Sequence, residues 1–279
     1  MTIDKGLDRM PSDVLPFLKW AGGKRWFATH FARLGLSVER SYIEPFMGSA
    51  AVFFSLKPKS AILSDTNEDL VDTYQAIKDD WKAVRRLLSA HHKNHNKNYY
   101  YLIRDRAPTN QYIKAARFIY LNRTCWNGLY RVNQQGAFNV PIGTKTNVLL
   151  KGDDFSSVAD RLKNCNLLVE DFESTINRAG EGDLVFADPP YTVRHNLNGF
   201  IKYNEKLFSW DDQIRLRDAL LRASHRGANI VSTNADHRSV RDLYRRDFSV
   251  GHASRFSSIS GLSKSRGEYS ELVITNKEV

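Results

Sequence analysis

The chain has 279 residues, 42% of them hydrophobic, with 41 Lys and Arg against 31 Asp and Glu and a formal net charge of +10. That length carries one large domain, or one domain with a substantial insertion, and the basic excess points to a polyanionic partner. The two cysteines, Cys125 and Cys165, form no Cys-x-x-Cys pair, which excludes a disulfide scaffold and a thiolate zinc cluster. No apolar stretch approaches the ~18 residues of a membrane span, and Met1 to Asp13 lacks an apolar signal core, so a soluble cytoplasmic protein is expected.

In chain order, an apolar run from Ser41 to Phe46 predicts a strand and Ala50 to Leu56 a helix; Ala61 to Leu63 then Glu68 to Ile77 repeat the pair. The middle of the chain is helical, with the clearest helix over Tyr112 to Asn122. Beyond it the strand runs are Asn166 to Val169, Asp183 to Ala187 and Asn229 to Ser232, and the helices Asp211 to Arg226 and Arg238 to Arg245. Phe248 to Ala253 and Glu271 to Thr275 predict an antiparallel edge hairpin. The strand runs are apolar without alternation, as in a sheet covered on both faces. The expected fold is therefore α/β: a Rossmann-like doubly wound sheet over residues 1–78 and 151–279, interrupted by a helical insertion over residues 79–150.

The charge is concentrated in that insertion. It holds twelve Lys and Arg and three acids, a net of +9, and leaves +1 for the rest of the chain. Ten aromatic residues are interleaved with the basic ones, from Trp81 to Phe138. Basic and aromatic side chains together suit phosphate contact and base stacking, although a helical domain with an aromatic core reads the same way, and Phe118, Tyr120 and Leu121 fit its inner face.

Two places carry chemistry. The first strand runs into Glu44-Pro45-Phe46-Met47-Gly48-Ser49-Ala50, where small residues let backbone approach a ligand, and Asp65 stands just beyond the second strand, where an acid can accept from ribose hydroxyls. An ordinary strand-helix turn with an N-cap Asp fits those features equally. Sharper is Leu184-Val185-Phe186-Ala187-Asp188-Pro189-Pro190-Tyr191, an apolar strand that stops at an acid, two prolines and an aromatic ring. Two consecutive prolines fix φ and remove two backbone donors, so the carboxylate and the Pro189 carbonyl form a stiff pair of acceptors for an amino group beside the Tyr191 ring. A plain turn opening at Asp188 is the competing reading.

Asp-Pro-Pro-Tyr resembles the motif of amino-directed DNA methyltransferases, and the chain is similar in particular to the Dam-type adenine enzymes over most of its length. Phe17 to Lys24, Glu44 to Gly48 and Ser64-Asp65-x-Asn67-x-Asp69-Leu70 resemble their cofactor motifs, in the same order. Asn122-Arg123, Asn127-Gly128-Leu129-x-Arg131-x-Asn133 and Gly136-x-Phe138-Asn139-Val140-Pro141 resemble the target-recognition insert, and Glu271 to Asn276 the closing hairpin. The resemblance implies S-adenosylmethionine bound by Trp20, Lys24, Glu44, Phe46, Gly48, Asp65, Asp171, Phe172 and Asp188, with Asp188, Pro189, Pro190 and Tyr191 catalytic. It also implies double-stranded DNA as partner, met by Lys19, Arg123, Trp126, Asn127, Leu129, Arg131, Asn139 and Pro141 at a GATC-like site. The target adenine would be flipped onto Tyr191, with residues 192–204 as a lid, in a bacterial or phage-infected cell and as a monomer or weak dimer. The chain departs from its relatives at Ala50, where many keep glycine and where alanine fits if φ is negative, and at Trp126, where a smaller ring is usual.

Two constellations are set aside. His91 and His95 have the i, i+4 spacing of a helical metal pair but no acid nearby, so a solvated basic helix end is expected and no metal site. Cys125 could be a nucleophile, but transfer to an amino group requires no covalent intermediate, and a semi-buried thiol is the simpler reading. A non-catalytic nucleic-acid binder and a methyltransferase for RNA or a protein amide remain the rival functions. Intact Asp188 and Tyr191 speak against the first, and the basic insert against the second.

Overall fold

Seven strands form one sheet in the order β3-β2-β1-β4-β5-β7-β6 in the computed structural model, which describes residues 14–27, 37–128, 130–133, 136–193, 208–256 and 268–277. They are β1 (Tyr42–Glu44), β2 (Ala61–Asp65), β3 (Cys165–Val169), β4 (Leu184–Ala187), β5 (Asn229–Ala235), β6 (Ser249–Phe256) and β7 (Glu268–Thr275). β1 to β5 run parallel, in registers such as Ile43↔Ile62, Ile43↔Val185 and Ala187↔Ser232. β7 is antiparallel to both of its neighbours, with Ala235↔Glu271 on one side and Ala253↔Glu271 on the other. The hairpin is as expected, but its second strand lies inside the sheet and its first at the edge. Strand order reverses between β1 and β4, and in open α/β sheets ligands bind at the carboxyl ends of strands flanking such a switch point.

The chain divides into two compact units. The sheet unit comprises residues 26–47, 58–71 and 164–279. Its core is built on the continuous apolar runs: Ile43, Val185, Ala187 and Ile230 from the strands meet Leu216, Ala219, Leu220 and Ala223 of helix α7 (Trp210–His225), all almost fully buried. α7 starts with a capping box, Ser209 with Asp212, which satisfies two otherwise orphaned amides. Helix α6 (Phe172–Ile176) is capped by Asp171 and packs Ile176 into the same core. Helix α8 (Arg238–Tyr244) precedes β6. At the far end of β4 the buried Asp183 carboxylate accepts from Arg40 Nε at 2.8 Å and from the amides of Ser41 at 3.1 Å and Gly180 at 3.0 Å. That bonding pins the start of β4 beside β1.

The helical unit comprises residues 1–25, 48–57 and 72–163. It holds α1 (Ala51–Leu56), most of α2 (Glu68–Asn94), α3 (Lys97–Arg104), α4 (Gln111–Thr124) and α5 (Phe155–Leu162). α2 continues well past the predicted Ile77 but breaks at Asp80, where φ is −152° and the side chain accepts from the Ala83 amide, so Asp80 works as an internal N-cap. Asn96 and Asn110 cap α3 and α4 in the ordinary way. The core is aromatic: Phe17 packs on Tyr74 and Phe155, and Tyr100 and Tyr120 are fully buried, Tyr100 donating to the Val140 carbonyl at 2.9 Å. Among the described residues no helix is long and apolar enough to cross a membrane.

Candidate active site and DNA-reading loop

In the sheet unit the expected residues lie at the carboxyl ends of the central strands. Asp65 is the last residue of β2, and its Oδ1 accepts from the Asn67 amide at 3.0 Å. It is not the N-cap of α2: that role belongs to Asn67, whose side chain accepts from the Leu70 amide at 3.1 Å. Glu44 closes β1 and is 3% exposed. Tyr42 lies close to it, and burial, then the Glu44 charge, push the Tyr42 phenol well above its ordinary range, so it stays protonated. Phe46 follows β1 and stacks on Phe172 with centroids 5.4 Å apart.

Asp171 Oδ1 accepts from the Glu173 amide at 2.9 Å and from Arg215 at 2.9 Å, and the Arg215 guanidinium lies 4.8 Å from the centre of the Phe172 ring. The Asp171-Phe172 pair is thus held as one unit by α7. After β4 come Asp188, Pro189, Pro190 and Tyr191, in that order along the strand's exit. Asp188 Oδ1 accepts from Thr233 Oγ1 at 2.7 Å, and the Tyr191 hydroxyl donates to Glu271 Oε2 at 2.8 Å. A bonded carboxylate, two prolines and a bonded aromatic ring thus follow one another within four residues, a set with acceptors for an amine on a planar heterocycle.

The family is decided by comparison with known proteins. Residues 20–259 match the D12 class N6 adenine-specific DNA methyltransferase family. This chain belongs to that family. A type II methyltransferase of Lactococcus lactis subsp. cremoris is 33% identical over 97% of this chain and 98% of its own length. A type II methyltransferase of Methanocaldococcus jannaschii is 36% identical over 80% of this chain and 85% of its own, and a DNA adenine methylase of Serratia marcescens 34% identical over 82% and 86%. The protein is an adenine-specific DNA methyltransferase, and DNA is its substrate.

The helical unit of the methyltransferase carries the remaining expected residues. Trp20 stacks at the side of a ring pair, 5.9 Å from Tyr130 and 6.4 Å from Phe118, which are themselves 4.8 Å apart. Gly48 has φ +44°, and a Cβ there would stand 2.7 Å from Trp20 Cδ1, so glycine is required by conformation and by space. Ala50 also has positive φ, +49°, as N-cap of α1, which corrects the expectation of a negative value: the residue holds a left-handed conformation that costs about 1 kcal/mol for a residue with a Cβ. Lys24 is buried and donates to the Gly22 carbonyl at 3.0 Å.

The isolated bridges Cys125↔Ile142 and Val132↔Phe138 draw the described stretches between residues 125 and 142 into a loop. It displays Trp126 (52% exposed), Asn127, Arg131, Asn139 and Pro141 on its surface. Arg131 Nε donates to Asn139 Oδ1 at 3.0 Å, which orients two of the expected readers together. Asn122 ties the loop to the N-terminal motif, accepting from the Lys19 amide at 2.9 Å and donating to its carbonyl at 2.8 Å. Gly128 (φ +68°) admits the Lys19 stem, which a Cβ would meet at 2.7 Å. The Lys19 ammonium is lowered in pKa by burial and by Lys145, a concentration of positive charge suited to an anionic partner. Leu129 and most of the expected lid, including Arg194, Phe200 and Tyr203, lie outside the described residues.

Arg123 is a correction. Expected at the DNA, it is 3% exposed, and its guanidinium donates to both Asp153 oxygens at 2.6 and 2.7 Å and to the Val148 and Phe17 carbonyls at 2.7 and 2.8 Å. It is an internal cross-link of the helical unit and leaves the DNA-contacting set. His91 is a second correction. It is not solvated but 8% exposed, stacked on Tyr120 at 4.8 Å and bonded through Nδ1 to the Tyr99 hydroxyl at 2.8 Å, while His95 Nδ1 meets the Tyr120 hydroxyl at 2.9 Å. Burial, with Arg106 second, lowers the His91 pKa to about 4, so its imidazole is neutral. No group of three or more metal-ligating side chains occurs among the described residues, and Cys125 is buried.

Sequence reasoning missed Thr233, Glu271 and Arg215. Each acts on an expected residue through a partner 44 to 80 positions away, a separation at which local pattern is silent.

Proposed function

We propose that this protein transfers a methyl group from S-adenosylmethionine to the exocyclic N6 of an adenine flipped out of duplex DNA, at a GATC-like site. The observation that carries the reading is Asp188 at the carboxyl end of β4, held by Thr233 and followed by two prolines and Tyr191. The donor set fits a nucleoside cofactor by its chemistry: a strand-end carboxylate at Asp65 for ribose hydroxyls, the Phe46 and Phe172 rings and Asp171 for a purine, and Lys24 for a carboxylate. Glu44 belongs with the sheet-unit residues, and Trp20 and Gly48, like Lys24, lie in the helical unit and are assigned to the cofactor by the resemblance of their motifs. When bound, S-adenosylmethionine supplies an electrophilic methyl carbon on a sulfonium.

The protein's own residues supply placement. Asp188 and the Pro189 carbonyl accept the two amino hydrogens, which turns the nitrogen lone pair out of conjugation with the ring and leaves it directed for in-line attack. Pro190 keeps the acceptors stiff, and Tyr191 offers its face to the base. The amine is unreachable inside a duplex, so the base must leave the stack first. Residues 79–150 are the target-recognition domain in this reading, with residues 1–78 and 151–279 catalytic, and Lys19, Trp126, Asn127, Leu129, Arg131, Asn139 and Pro141 meet the duplex. Exposure of Trp126 and the Arg131–Asn139 pairing support that assignment.

Labelled-methyl transfer to duplex DNA, RNA and protein, with Asp188→Ala beside the wild type, tests the proposal. The wild type should label only DNA, at adenine N6. The variant should lose on the order of 10³-fold in kcat while it still folds and binds duplex. Substantial turnover by the variant refutes the mechanism, and labelling of RNA or protein instead refutes the substrate.

A further inference from the structure

Two side chains outside the expected site are aimed at the Asp-Pro-Pro-Tyr segment from one face of the sheet. The Ala187↔Ser232 register brings Thr233 of β5 beside Asp188, and Thr233↔Val273 with Ala235↔Glu271 sets β7 against β5. Residues two apart on a strand share a face, as do directly paired ones, so Thr233 and Glu271 are diagonal neighbours on the same face. They are 0% and 3% exposed. Thr233 Oγ1 donates to Asp188 Oδ1 at 2.7 Å, and Glu271 Oε2 accepts from the Tyr191 hydroxyl at 2.8 Å. Burial and the charges of Asp188 and Glu271 keep the Tyr191 phenol protonated, which fixes it as the donor.

A carboxylate at this depth is costly, and an apolar side chain of similar size would fill the position without that cost. The bond to Tyr191 gives the Glu271 carboxylate a role that an apolar side chain could not fill. Loss of Glu271 would take a charged acceptor from the phenol, and loss of Thr233 would take from the Asp188 carboxylate a donor at 2.7 Å. Reactions that depend on placement lose about 100-fold for a displacement of 1 Å.

We propose that Glu271 and Thr233 are positioning residues of the transfer reaction. Glu271 holds the Tyr191 ring at the angle that receives the flipped base, and Thr233 sets the rotation of the Asp188 carboxylate toward the amine. The inference rests on the base-flipping reading above.

The test measures transfer kinetics for Glu271→Leu, Glu271→Gln, Tyr191→Phe, the Tyr191→Phe/Glu271→Leu double variant, Thr233→Val and Thr233→Ser. 2-Aminopurine at the target position reports the state of the base. Glu271→Leu and Thr233→Val should each lower kcat about 10- to 100-fold with KM for duplex and cofactor within about twofold. Glu271→Gln, whose amide oxygen still accepts, and Thr233→Ser should retain most of the activity. Tyr191→Phe should match Glu271→Leu, the double variant should be no worse than either, and both single variants should shift the emission of the bound base alike. Turnover and emission of the Leu and Val variants equal to the wild type overturn the proposal, as do Glu271→Leu and Tyr191→Phe effects that multiply. If Glu271→Leu does not fold, Tyr191→Phe with wild-type kcat overturns the Glu271 assignment. A wild type that labels adenine without any 2-aminopurine response removes the base-flipping reading and this inference with it, whereas a wild-type response with silent variants removes the inference alone.

Discussion

The sheet unit and the helical unit use charge in opposite ways. In the sheet unit single acids stand at or shortly beyond strand ends, and each accepts from a named neighbour: Asp65 from the Asn67 amide, Asp171 from Arg215, Asp188 from Thr233. In the helical unit a large basic excess divides into two populations. Arg123 and Arg117 turn inward, Arg117 donating to the Ile103 carbonyl at 2.9 Å, whereas Arg131 stays on the surface. A count of basic residues thus overstates the surface available to a polyanion, and burial decides which charges remain for it.

Four measurements bear on that contrast. The largest effect is expected at Arg123, because Arg123→Ala leaves the Asp153 carboxylate without its guanidinium in a largely enclosed site; their side chains are 2% and 9% exposed. Stability should fall by about 3 to 5 kcal/mol in denaturant unfolding. Loss of DNA affinity with stability intact would return Arg123 to the DNA set.

His91 gives a pH-dependent counterpart. Its pKa falls from 6.5 to about 4 on folding, so the unfolded chain binds the extra proton between those values, and stability is full above pH 6.5 and lost as pH falls toward 4. The loss amounts to roughly 3 kcal/mol. His95 shifts in the same direction, through burial and then His92, and adds to the slope. His91→Phe should flatten most of the acid limb in unfolding curves at stepped pH; an unchanged limb would place the sensitive group elsewhere.

In the sheet unit, Asp65→Ala should weaken cofactor binding by about 1.5 to 3 kcal/mol in calorimetry, with duplex affinity nearly unchanged. Equal losses for both ligands would dissolve the division of labour between the two regions. The smallest effect is expected at Arg131, where Arg131→Ala should cost ~1 to 3 kcal/mol on the preferred site, relax discrimination at one guanine beside the target adenine and leave stability alone. Methylation of a duplex library reads this directly, and a uniform loss over all sequences would mark a phosphate contact instead.

What the sequence disclosed follows from the range of the interactions involved. The parallel strands were legible because covered strands are continuous apolar runs, and so was the strand-end place of Asp188, where its run stops, whereas β2 extends two residues past the predicted Leu63 to take in Asp65. α2 outran its predicted end because Asp80 restarts the helix with its own side chain, where the pattern alone indicated a stop. The inward turn of Arg123 was not legible, since its carboxylate lies thirty positions on, and neither was the burial of His91, which depends on Tyr99 and Tyr120 closing over it. Thr233 and Glu271 required the register of β5 on β4 and β7, which no local window contains.

The place of β7 between β5 and β6 governs how the enzyme is made. The ribosome releases β6 before β7, yet β6 can dock on the sheet only through β7, so β5 keeps an open edge until the chain has turned back and filled it. A nascent chain that carries every residue up to β6 therefore has Asp188 and Tyr191 but not Glu271, which the Tyr191 hydroxyl meets at 2.8 Å. It presents a naked strand edge to other chains during that interval, and translation pausing between β6 and β7 would lengthen exposure to aggregation.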